Sequence, residues 1–423
     1  MTAAEQLAGL VAGLLDGELP VRIRAWDGSE AGPPAAPTVH LTSRHALRRL
    51  VWQPNELGLA QAYVTGELDV PGPAVALSDG LRRMWQTAPD DRPRGSWRKR
   101  LPATVLAARL GAFGPRPSPP RCQARLHGRA HTTARDRAAI AHHYDLSNEL
   151  YALILDESMA YSCAYYPRPD MSLAEAQRAK LDLICRKLVL RPGQRLLDVG
   201  CGWGSLLVHA AERYGVTALG VTISEQQREY VLERVAERGL SDRVEVRVQD
   251  YRTLREPPFD AVASIEMGEH VGQANYPVYA ATLFAQLAPG GKLLLQQMSR
   301  RADAAPGGGA FIEAFIAPDM HMRPLPETLG LLQAAGLEIR EVRALREHYV
   351  RTVADWLAAL EDRYEQAVAL VGEQVARVWR LYLVGGGLAF EQGRMGVDQI
   401  LATRAGTDDE STSCPAQRRR EPR

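Results

Sequence analysis

The sequence has few cysteines and no long apolar run. The five cysteines among its 423 residues are scattered, odd in number and not spaced like metal ligands, so we expect neither a disulfide framework nor a metal site. No stretch approaches the ~20 apolar residues of a membrane-spanning helix. The first residues, Met-Thr-Ala-Ala-Glu-Gln, lack the basic and apolar regions of a signal peptide, and we therefore expect a cytoplasmic protein.

Net charge is also small, but the basic residues are unevenly distributed. Lysine and arginine number 51 against 50 acidic residues, whereas 92–137 holds twelve basic residues and a single acid, Asp136. Two interpretations stay open for this proline-rich segment: it attracts an anionic surface, or it is a solvated linker. Within it, 97–110 has the spacing of a short basic amphipathic helix that could lie on an anionic bilayer, although a mobile linker explains it equally well.

The strongest local pattern is a glycine-rich turn after an apolar run. Residues 195–204 read Arg-Leu-Leu-Asp-Val-Gly-Cys-Gly-Trp-Gly, with glycines at 200, 202 and 204. This order is typical of a buried parallel strand that turns tightly into a helix and lets its backbone approach a ligand. Taken alone, it is also compatible with a turn that binds nothing.

From about residue 138, helical and apolar strand patterns alternate, which predicts an α/β fold with a doubly wound, mostly parallel sheet. Strands are expected at 195–199, 217–222, 244–249, 261–265 and 292–297, and helices at 174–188, 205–214, 225–238 and throughout 357–404. We divide the chain into a smaller, membrane-associated N-terminal α+β domain (1–85), a basic linker (86–137), the α/β domain (138–404) and a disordered tail (405–423). In the first domain we expect a helix at 7–15, strands at 21–25 and 38–41, and a helix within 55–69.

Polar residues follow several of these strands. Ligands of doubly wound sheets bind beyond the carboxyl ends of the strands, so residues there are candidates for a site. After the second and third strands come Thr222, Ser224, Gln227, Gln249, Asp250 and Tyr251. The first three could equally cap a helix. The fourth strand leads into 266–272, Glu-Met-Gly-Glu-His-Val-Gly, and buried acids and histidines are uncommon without a partner.

Short motifs also occur along the second half of the chain. They are His-Tyr-Asp-Leu-Ser-Asn (143–148), Tyr-Ser-Cys-Ala-Tyr (161–165), Ala-Gln-x-Ala-Lys (176–180), Leu-Asp-Val-Gly-Cys-Gly-Trp-Gly (197–204), Val-Thr-Ile-Ser (221–224), Gln-Asp-Tyr-Arg (249–252) and Glu-His-Val-Gly (269–272). As a set they resemble the cyclopropane-fatty-acyl-phospholipid synthase family, S-adenosylmethionine-dependent methyltransferases that act on lipid double bonds. The resemblance covers roughly 138–403, and 55–69 more weakly.

The resemblance implies a methyl-donor site and a bicarbonate ion beside the reacting carbon. Its donor-site residues match Tyr161, Ser162, Gly200, Gly202, Thr222, Gln227 and Gln249, and we add their neighbours Asp198, Gly204, Ser224, Asp250 and Tyr251 as candidates. The ion ligands match Cys163, Glu269 and Tyr349, with His270 as a further catalytic candidate. The chain departs from the family at three positions. Two ion-ligand positions that are usually His and Ile in the family are Gln296 and Met298 here, and Gly268 replaces an aromatic residue.

The chemistry that the resemblance implies is methyl transfer to a cis double bond of a phospholipid acyl chain. A carbocation would form, stabilised by tyrosine faces such as those of 142–166, and bicarbonate would remove a proton. Direct proton loss from the new methyl closes a cyclopropane, whereas a preceding hydride shift gives an exocyclic methylene that a reductase could convert to a methyl branch. Because Gln296 changes how the ion is held and Gly268 opens space near Glu269, we favour the methylene product, and cyclopropane remains open.

Other classes of protein are also considered. A methyltransferase for a small soluble acceptor needs neither the basic segment nor the first domain. An NAD-dependent oxidoreductase normally has an acid at the end of the second strand, where this chain has Thr222. A nucleic-acid binder would leave the tyrosines and the Glu269–His270 pair unexplained. We therefore expect an anionic membrane surface rather than nucleic acid as partner, with peripheral attachment to the inner face of the cell membrane and possible homodimerisation.

Overall fold

The structure is a computed structural model that describes residues 1–15, 19–87, 104–133, 135–136 and 148–406. Much of the basic segment, most of the motif at 143–148 and nearly all of the C-terminal tail lie outside the described residues. Among the described residues, no helix combines the length and the apolar character that crossing a bilayer requires.

The N-terminal part is a small α+β unit. Its elements are α1 (Ala3–Leu15), β1 (Arg22–Arg24), β2 (Glu30–Ala31), β3 (Thr38–Leu41), α2 (Arg44–Trp52), α3 (Glu56–Val64), β4 (Leu68–Asp69) and α4 (Ala74–Thr87). The sheet has the order β2-β1-β3-β4. The expected helix within 55–69 begins after Asn55, whose side chain accepts a hydrogen bond from the backbone of Gly58, and it ends before Gly66, whose φ is +73°.

Part of the expected basic linker packs on this unit. Residues 104–109 are helical, and both Ala107 and Ala112 are fully buried in the N-terminal core. The indole Nε1 of Trp52 donates to the carbonyl of Gly114 at 2.9 Å, and Arg48 Nε donates to the carbonyl of Ala112 at 3.0 Å. The apolar face expected to lie on a bilayer therefore packs on the protein itself, at least over 104–110, because Leu106 and Leu110 join the same core.

The larger part is an α/β domain built on seven strands. The elements up to the third strand are α5 (Asn148–Ile154), α6 (Leu173–Leu188), β5 (Arg195–Val199), α7 (Ser205–Tyr214), β6 (Thr217–Thr222), α8 (Glu225–Glu237) and β7 (Val244–Val248). Next come β8 (Phe259–Ile265), α9 (Tyr276–Gln286), β9 (Leu287–Arg300), α10 (Ala310–Phe315), α11 (Leu325–Ala334) and β10 (Leu337–Ala344). The chain then forms α12 (Arg346–Asp362), α13 (Tyr364–Val371), α14 (Glu373–Glu391) and β11 (Met395–Arg404).

The sheet order is β10-β11-β9-β8-β5-β6-β7. Strands β5 to β9 run parallel, as expected, and β11 is antiparallel to both of its neighbours. The prediction of helix up to residue 404 was wrong at its end, because β11 is a strand inserted between β9 and β10. Its buried polar residues Asp398 and Gln399 interrupt the apolar pattern that would have indicated a central strand.

Helices α5, α12, α13 and α14 pack together beside the carboxyl edge of this sheet. Their shared core contains several large aromatic side chains, including Tyr151, Trp356 and Trp379, and it also takes in Cys163 and Trp203. The two parts of the chain are joined through α14, because Arg377 donates to the carbonyl of Tyr63 at 2.7 Å and pairs with Asp69 at 2.8 Å. The aromatic core therefore lies next to the edge where ligands of such sheets bind.

Candidate active site

A cavity opens beyond the carboxyl ends of β5, β6 and β8. Eight of the candidate residues line it: Gly200, Gly202, Thr222, Gln227, Gln249, Asp250, Tyr251 and His270. The loop residues Ala317, Pro318 and Asp319 and the neighbouring Glu266 and Met267 complete much of the wall. A wider, open depression around Arg228, Asp242 and Arg243 contains none of the candidate residues. The first cavity is therefore the candidate site for a cofactor.

The three glycines of the turn have different roles. All have positive φ, from +53° to +81°. At Gly202 an added Cβ would meet nothing within 4 Å, whereas at Gly200 it would lie 2.7 Å from Cγ of Met267. At Gly204 it would lie 2.6 Å from Cγ1 of Val231, so this glycine allows α7 to approach α8. Gly200 and Gly202 thus border the cavity, and Gly204 serves helix packing.

The polar wall of the cavity is partly satisfied by its own hydrogen bonds. The Thr222 hydroxyl donates to Oε1 of Gln227 at 2.7 Å, and Ser224 caps α8 by accepting from the Gln227 backbone. Asp250 binds the guanidinium of Arg252, with one contact of 2.6 Å. The buried hydroxyl of Tyr251 has no partner, which leaves a polar group available to a ligand, and burial raises the pKa of Tyr251 to about 12.

Several donor-site candidates lie outside the cavity wall, among them Ser162, Tyr161 and Asp198. Ser162 is buried and accepts a hydrogen bond from Nζ of Lys180 at 2.8 Å. The hydroxyl of Tyr161 donates to that of Tyr382 at 3.0 Å. Asp198 is buried in β5 with Oδ1 unpartnered, and burial raises its pKa to about 7 despite the positive charge of Lys180. Ser162 and Tyr161 are thus held by contacts with α6 and α14.

Gln177 and Lys180 hold the segment around Ser162 in place. The Gln177 amide donates to the carbonyls of Ala160 and Ser162, at 3.1 and 2.9 Å. Both side chains are buried on α6, three residues apart and hence on one face of the helix. The motif at 176–180 carried this signal, although we did not assign either residue to the site from the sequence.

The group at the centre of the site is the carboxylate of Glu266. Its Oε1 accepts hydrogen bonds from the backbone N–H of Cys163 and from Nε2 of Gln296, each at 2.8 Å. Its Oε2 accepts from the hydroxyl of Tyr349 at 2.6 Å. Burial raises the pKa of Glu266, whereas these three donors favour its ionised form and oppose that shift.

Glu266 is not among the site residues predicted from the sequence. It stands first in the polar set 266–272, but the resemblance directed attention to Glu269. A second signal is visible only in the structure: Glu266 has a φ of +52°, a left-handed conformation that is uncommon for a residue with a side chain. Cys163, Gln296 and Tyr349 are indeed brought together, and they converge on Glu266.

Gln296 is held in one orientation by a chain of hydrogen bonds. Lys187 on α6 donates to Oε1 of Gln399 at 3.0 Å, and Nε2 of Gln399 donates to Oε1 of Gln296 at 2.9 Å. Gln399 and Gln296 are paired across β11 and β9, and Gln296 is paired with Ile265 across β8. This register aims the Gln296 amide N–H at Glu266, which a residue earlier or later on β9 could not do.

Glu269 points elsewhere. Its Oε1 accepts from the backbone N–H of Met298 at 2.5 Å, and its buried Oε2 has no partner. Burial, together with the negative charge of Glu266, raises the pKa of Glu269 to about 8. Glu269 is therefore protonated at neutral pH, as expected for a buried carboxyl group beside a second one.

The space we expected beside Gly268 is filled. A Cβ on Gly268 would lie 2.3 Å from Oε1 of Gln297, which accepts from the hydroxyl of Tyr276 at 2.6 Å. Gln297 Nε2 in turn donates to Thr328 at 2.9 Å. The expectation that Gly268 opens room near Glu269 was wrong, because the absent side chain makes room for Gln297.

His270 and Cys163 have neutral side chains in this setting. Burial lowers the pKa of His270 to about 4, and nearby His131 lowers it further, so the imidazole in the cavity wall is uncharged at neutral pH. Burial raises the pKa of the Cys163 thiol well above its usual range, and the charge of Glu266 adds to this. Cys163 thus contributes its backbone N–H and not a thiolate.

Aromatic rings surround the polar centre. Tyr161 lies 5.3 Å from Trp356 and 6.1 Å from Trp379, measured between ring centroids, and Tyr349 stacks on Phe390 at 4.4 Å. Rings placed so can stabilise a positive charge that forms between them. The site combines a cofactor cavity, the buried carboxylate of Glu266 and an apolar aromatic wall.

The strand order, the glycine turn and the polar residues at the strand ends define a class I S-adenosylmethionine-dependent methyltransferase. The mycolic acid cyclopropane synthetase family model matches residues 131–400. The protein named "Probable fatty acid methyltransferase Rv3720" of Mycobacterium tuberculosis is 37% identical over 396 residues, which is 92% of each chain. A "Probable fatty acid methyltransferase" of Pseudomonas putida is 36% identical over 95% of this chain and 96% of its own.

The chain therefore belongs to the mycolic acid cyclopropane synthetase family, within the S-adenosylmethionine-dependent lipid methyltransferases. Among solved structures, the mycolic acid cyclopropane synthase CmaA1 complexed with SAH and CTAB superposes with a TM-score of 0.60 at 33% identity. That comparison covers 63% of this chain and 98% of the other. The resemblance noted from the motifs and the expected fold class are both confirmed.

The two small molecules that the family implies fit this site differently. The open space at Gly202 and the unpartnered hydroxyl of Tyr251 suit S-adenosylmethionine in the cavity. Bicarbonate does not fit, because the donors expected to hold it, from Cys163, Gln296 and Tyr349, already bind Glu266. No step of the reaction is therefore assigned to bicarbonate.

Proposed function

We propose that the protein methylates a cis double bond in an unsaturated acyl chain of a phospholipid. When bound, S-adenosylmethionine supplies an electrophilic methyl group. The observation that carries the proposal is Glu266, a residue of the cavity wall whose carboxylate is linked through Tyr349 to the aromatic core. This arrangement suits a reaction that creates a positive charge on an apolar chain and then removes a proton.

The residues of the site have distinct tasks in this reaction. Gly200 and Gly202 allow close approach of the cofactor, and Thr222, Gln227 and Tyr251 offer it polar contacts. The rings of Tyr161, Tyr349 and Trp356 exclude water and face the developing carbocation. An isolated alkene is a weak nucleophile, so positioning within this dry slot is the main contribution of the protein to the first step.

We propose a mid-chain methylene as the product. Relatives that match over nearly the whole length are named for fatty acid methylation, among them tuberculostearic acid methyltransferase UfaA1 of M. tuberculosis, 32% identical over 92% of this chain. The match to cyclopropane mycolic acid synthase 3 of the same organism covers only 61% of this chain. A methylene product would need a separate reductase to become a methyl branch. A cyclopropane closed on the same carbocation is the second candidate.

The product test is expression in a host that makes unsaturated phospholipids. We expect acyl chains 14 mass units heavier, carrying vinylidene protons in their NMR spectrum, since the change adds one carbon and two hydrogens. A cyclopropane ring signal without vinylidene protons would overturn the methylene assignment. A lipid fraction that gains no carbon, while a soluble acceptor is methylated, would overturn the acyl-chain assignment itself.

We also propose that the N-terminal part docks on an anionic membrane. Trp52 and Phe113 are 51% and 62% exposed and lie together, because the Trp52 indole binds the carbonyl next to Phe113. Arg109 and Arg116 are exposed in the same segment. Apolar rings beside basic side chains match the interface of an anionic bilayer.

Vesicle co-sedimentation tests this docking surface. Binding should be stronger to anionic than to zwitterionic vesicles, and it should weaken at high salt. The double variant Trp52→Ala/Phe113→Ala should reduce binding, whereas Val278→Ala/Leu370→Ala, at apolar positions of similar exposure elsewhere, should not. Equal loss in both double variants would refute the proposed surface.

A further inference from the structure

The backbone at Glu266 is held in a conformation that a residue with a side chain seldom adopts. Its φ of +52° places it in the left-handed region, and glycine would adopt this conformation without strain. Such strain persists where the surrounding structure requires that residue, and it is concentrated at functional sites. The side chain of Glu266 is therefore the feature to explain.

Three donors from three separate segments converge on this carboxylate. Cys163 lies in the loop before α6, Gln296 on β9 and Tyr349 on α12, and each donates one hydrogen bond to it. Convergent donors in a buried, apolar setting form a site for an anion. Here the protein itself supplies the anion.

We propose that Glu266 is the catalytic base of the methyl-transfer reaction and occupies the place of a bound bicarbonate ion. The inference rests on the proposed function, because only a carbocation mechanism needs a base at this point. Glu266 lines the cofactor cavity together with Gly200 and Met267, which places the residue beside the bound methyl donor.

The electron and proton balance closes without any further reactant. The π pair of the alkene forms the new bond to the methyl carbon, and the pair of the broken carbon–sulfur bond stays on sulfur. The resulting carbocation loses a proton from the transferred carbon to Glu266, directly or after a hydride shift between the two former alkene carbons. The pair of that C–H bond closes the cyclopropane in the first case and forms the methylene double bond in the second. Glu266 becomes a neutral carboxyl group and later releases its proton to solvent.

The charged and titratable groups around Glu266 suit this role. Lys180 and Glu269 are buried titratable groups near it, and burial lowers the pKa of Lys180 and raises that of Glu269. The Cys163 thiol and the phenols of Tyr349 and Tyr382 stay neutral, since burial raises the pKa of all three. Of the two neighbouring acids, Glu266 is the one whose ionised form is favoured by three hydrogen-bond donors.

Two substitutions of Glu266 distinguish a role as catalytic base from a purely structural role. Glu266→Gln keeps the size of the side chain and removes the base, and we expect kcat to fall roughly 100- to 10,000-fold. Glu266→Gly relieves the backbone strain and leaves the three donors around an empty space. The Glu266→Gly variant should be inactive in buffer free of carbon dioxide, and added bicarbonate or formate should restore part of its activity. The same anions should not restore the activity of Glu266→Gln.

The assay uses the purified full chain, phospholipid vesicles with cis-unsaturated chains and methyl-labelled S-adenosylmethionine. Thermal shift with S-adenosylhomocysteine checks that each variant is folded and binds cofactor, and Glu365→Gln, an exposed position on α13, serves as the matched control. Wild-type activity that requires bicarbonate, or a Glu266→Gln variant that stays within threefold of wild type, would overturn the assignment. A wild-type protein that labels no acyl chain would instead refute the proposed function.

Discussion

The substitution Glu269→Gln should make the protein less sensitive to alkaline pH. Glu269 is fully buried, its Oε2 has no partner, and its pKa is raised from 4.5 to about 8 by burial and by the charge of Glu266. A carboxyl group whose pKa is higher in the folded than in the unfolded chain stabilises the fold below pH 4.5. That contribution is lost progressively as the pH rises from 4.5 to about 8, because the unfolded chain ionises first.

The size of the expected stability change follows from the difference between the pKa of Glu269 in the unfolded and in the folded chain. At 1.36 kcal/mol per pKa unit, the change from 4.5 to about 8 corresponds to at most roughly 5 kcal/mol of unfolding free energy. Since the ionised site can relax and Arg323 lies nearby, we expect roughly 2–5 kcal/mol. Glutamine resembles the protonated acid and can still accept the hydrogen bond from Met298.

Urea unfolding of wild type and Glu269→Gln at pH 5 and pH 9 measures this effect. The variant should gain stability relative to wild type between the two pH values, and the exposed control Glu365→Gln should not. A difference between Glu269→Gln and wild type that does not change with pH would refute the view that Glu269 is protonated in the folded protein.

Three further predictions concern residues around the site. Gly204→Ala should lower the free energy of unfolding by roughly 1–3 kcal/mol in denaturant titration, because the added Cβ meets Val231 in a left-handed backbone. Gln399→Leu should leave Gln296 free to turn away from Glu266, so the acid limb of the pH–rate profile should move to higher pH; an unshifted profile would contradict this. Ser172→Ala should cost about 1 kcal/mol of stability with unchanged kcat, because Ser172 only caps α6.

Much of the fold could be predicted from the sequence. The first two parallel strands, 195–199 and 217–222, lie where apolar runs predicted them. Strand β11 could not be predicted in this way, because its buried Gln399 binds side chains of β9 and α6 that are remote in sequence. The apolar pattern of a strand cannot reveal a polar residue that is satisfied by such distant partners.

The sequence predicted which residues belong to the candidate site better than it predicted how they are arranged. The residues after β6 and β7 line the cavity because parallel strands end at one edge of the sheet. The sequence could not predict that Glu266, and not Glu269, binds Tyr349. Both residues follow the same strand, and only the backbone conformation decides which one reaches Tyr349. Resemblance favoured Glu269, whereas the hydrogen bonds in this chain favour Glu266.

The role of Glu266 as base can be tested by following a labelled methyl group in the absence of bicarbonate. Purified wild-type protein, vesicles of a cis-unsaturated phospholipid and methyl-labelled S-adenosylmethionine would be combined in buffer stripped of carbon dioxide. If Glu266 is the base, labelled carbon should enter the acyl chain at the same rate as in buffer with added bicarbonate. No labelling of the acyl chain, or labelling that begins only when bicarbonate is added, would contradict this role.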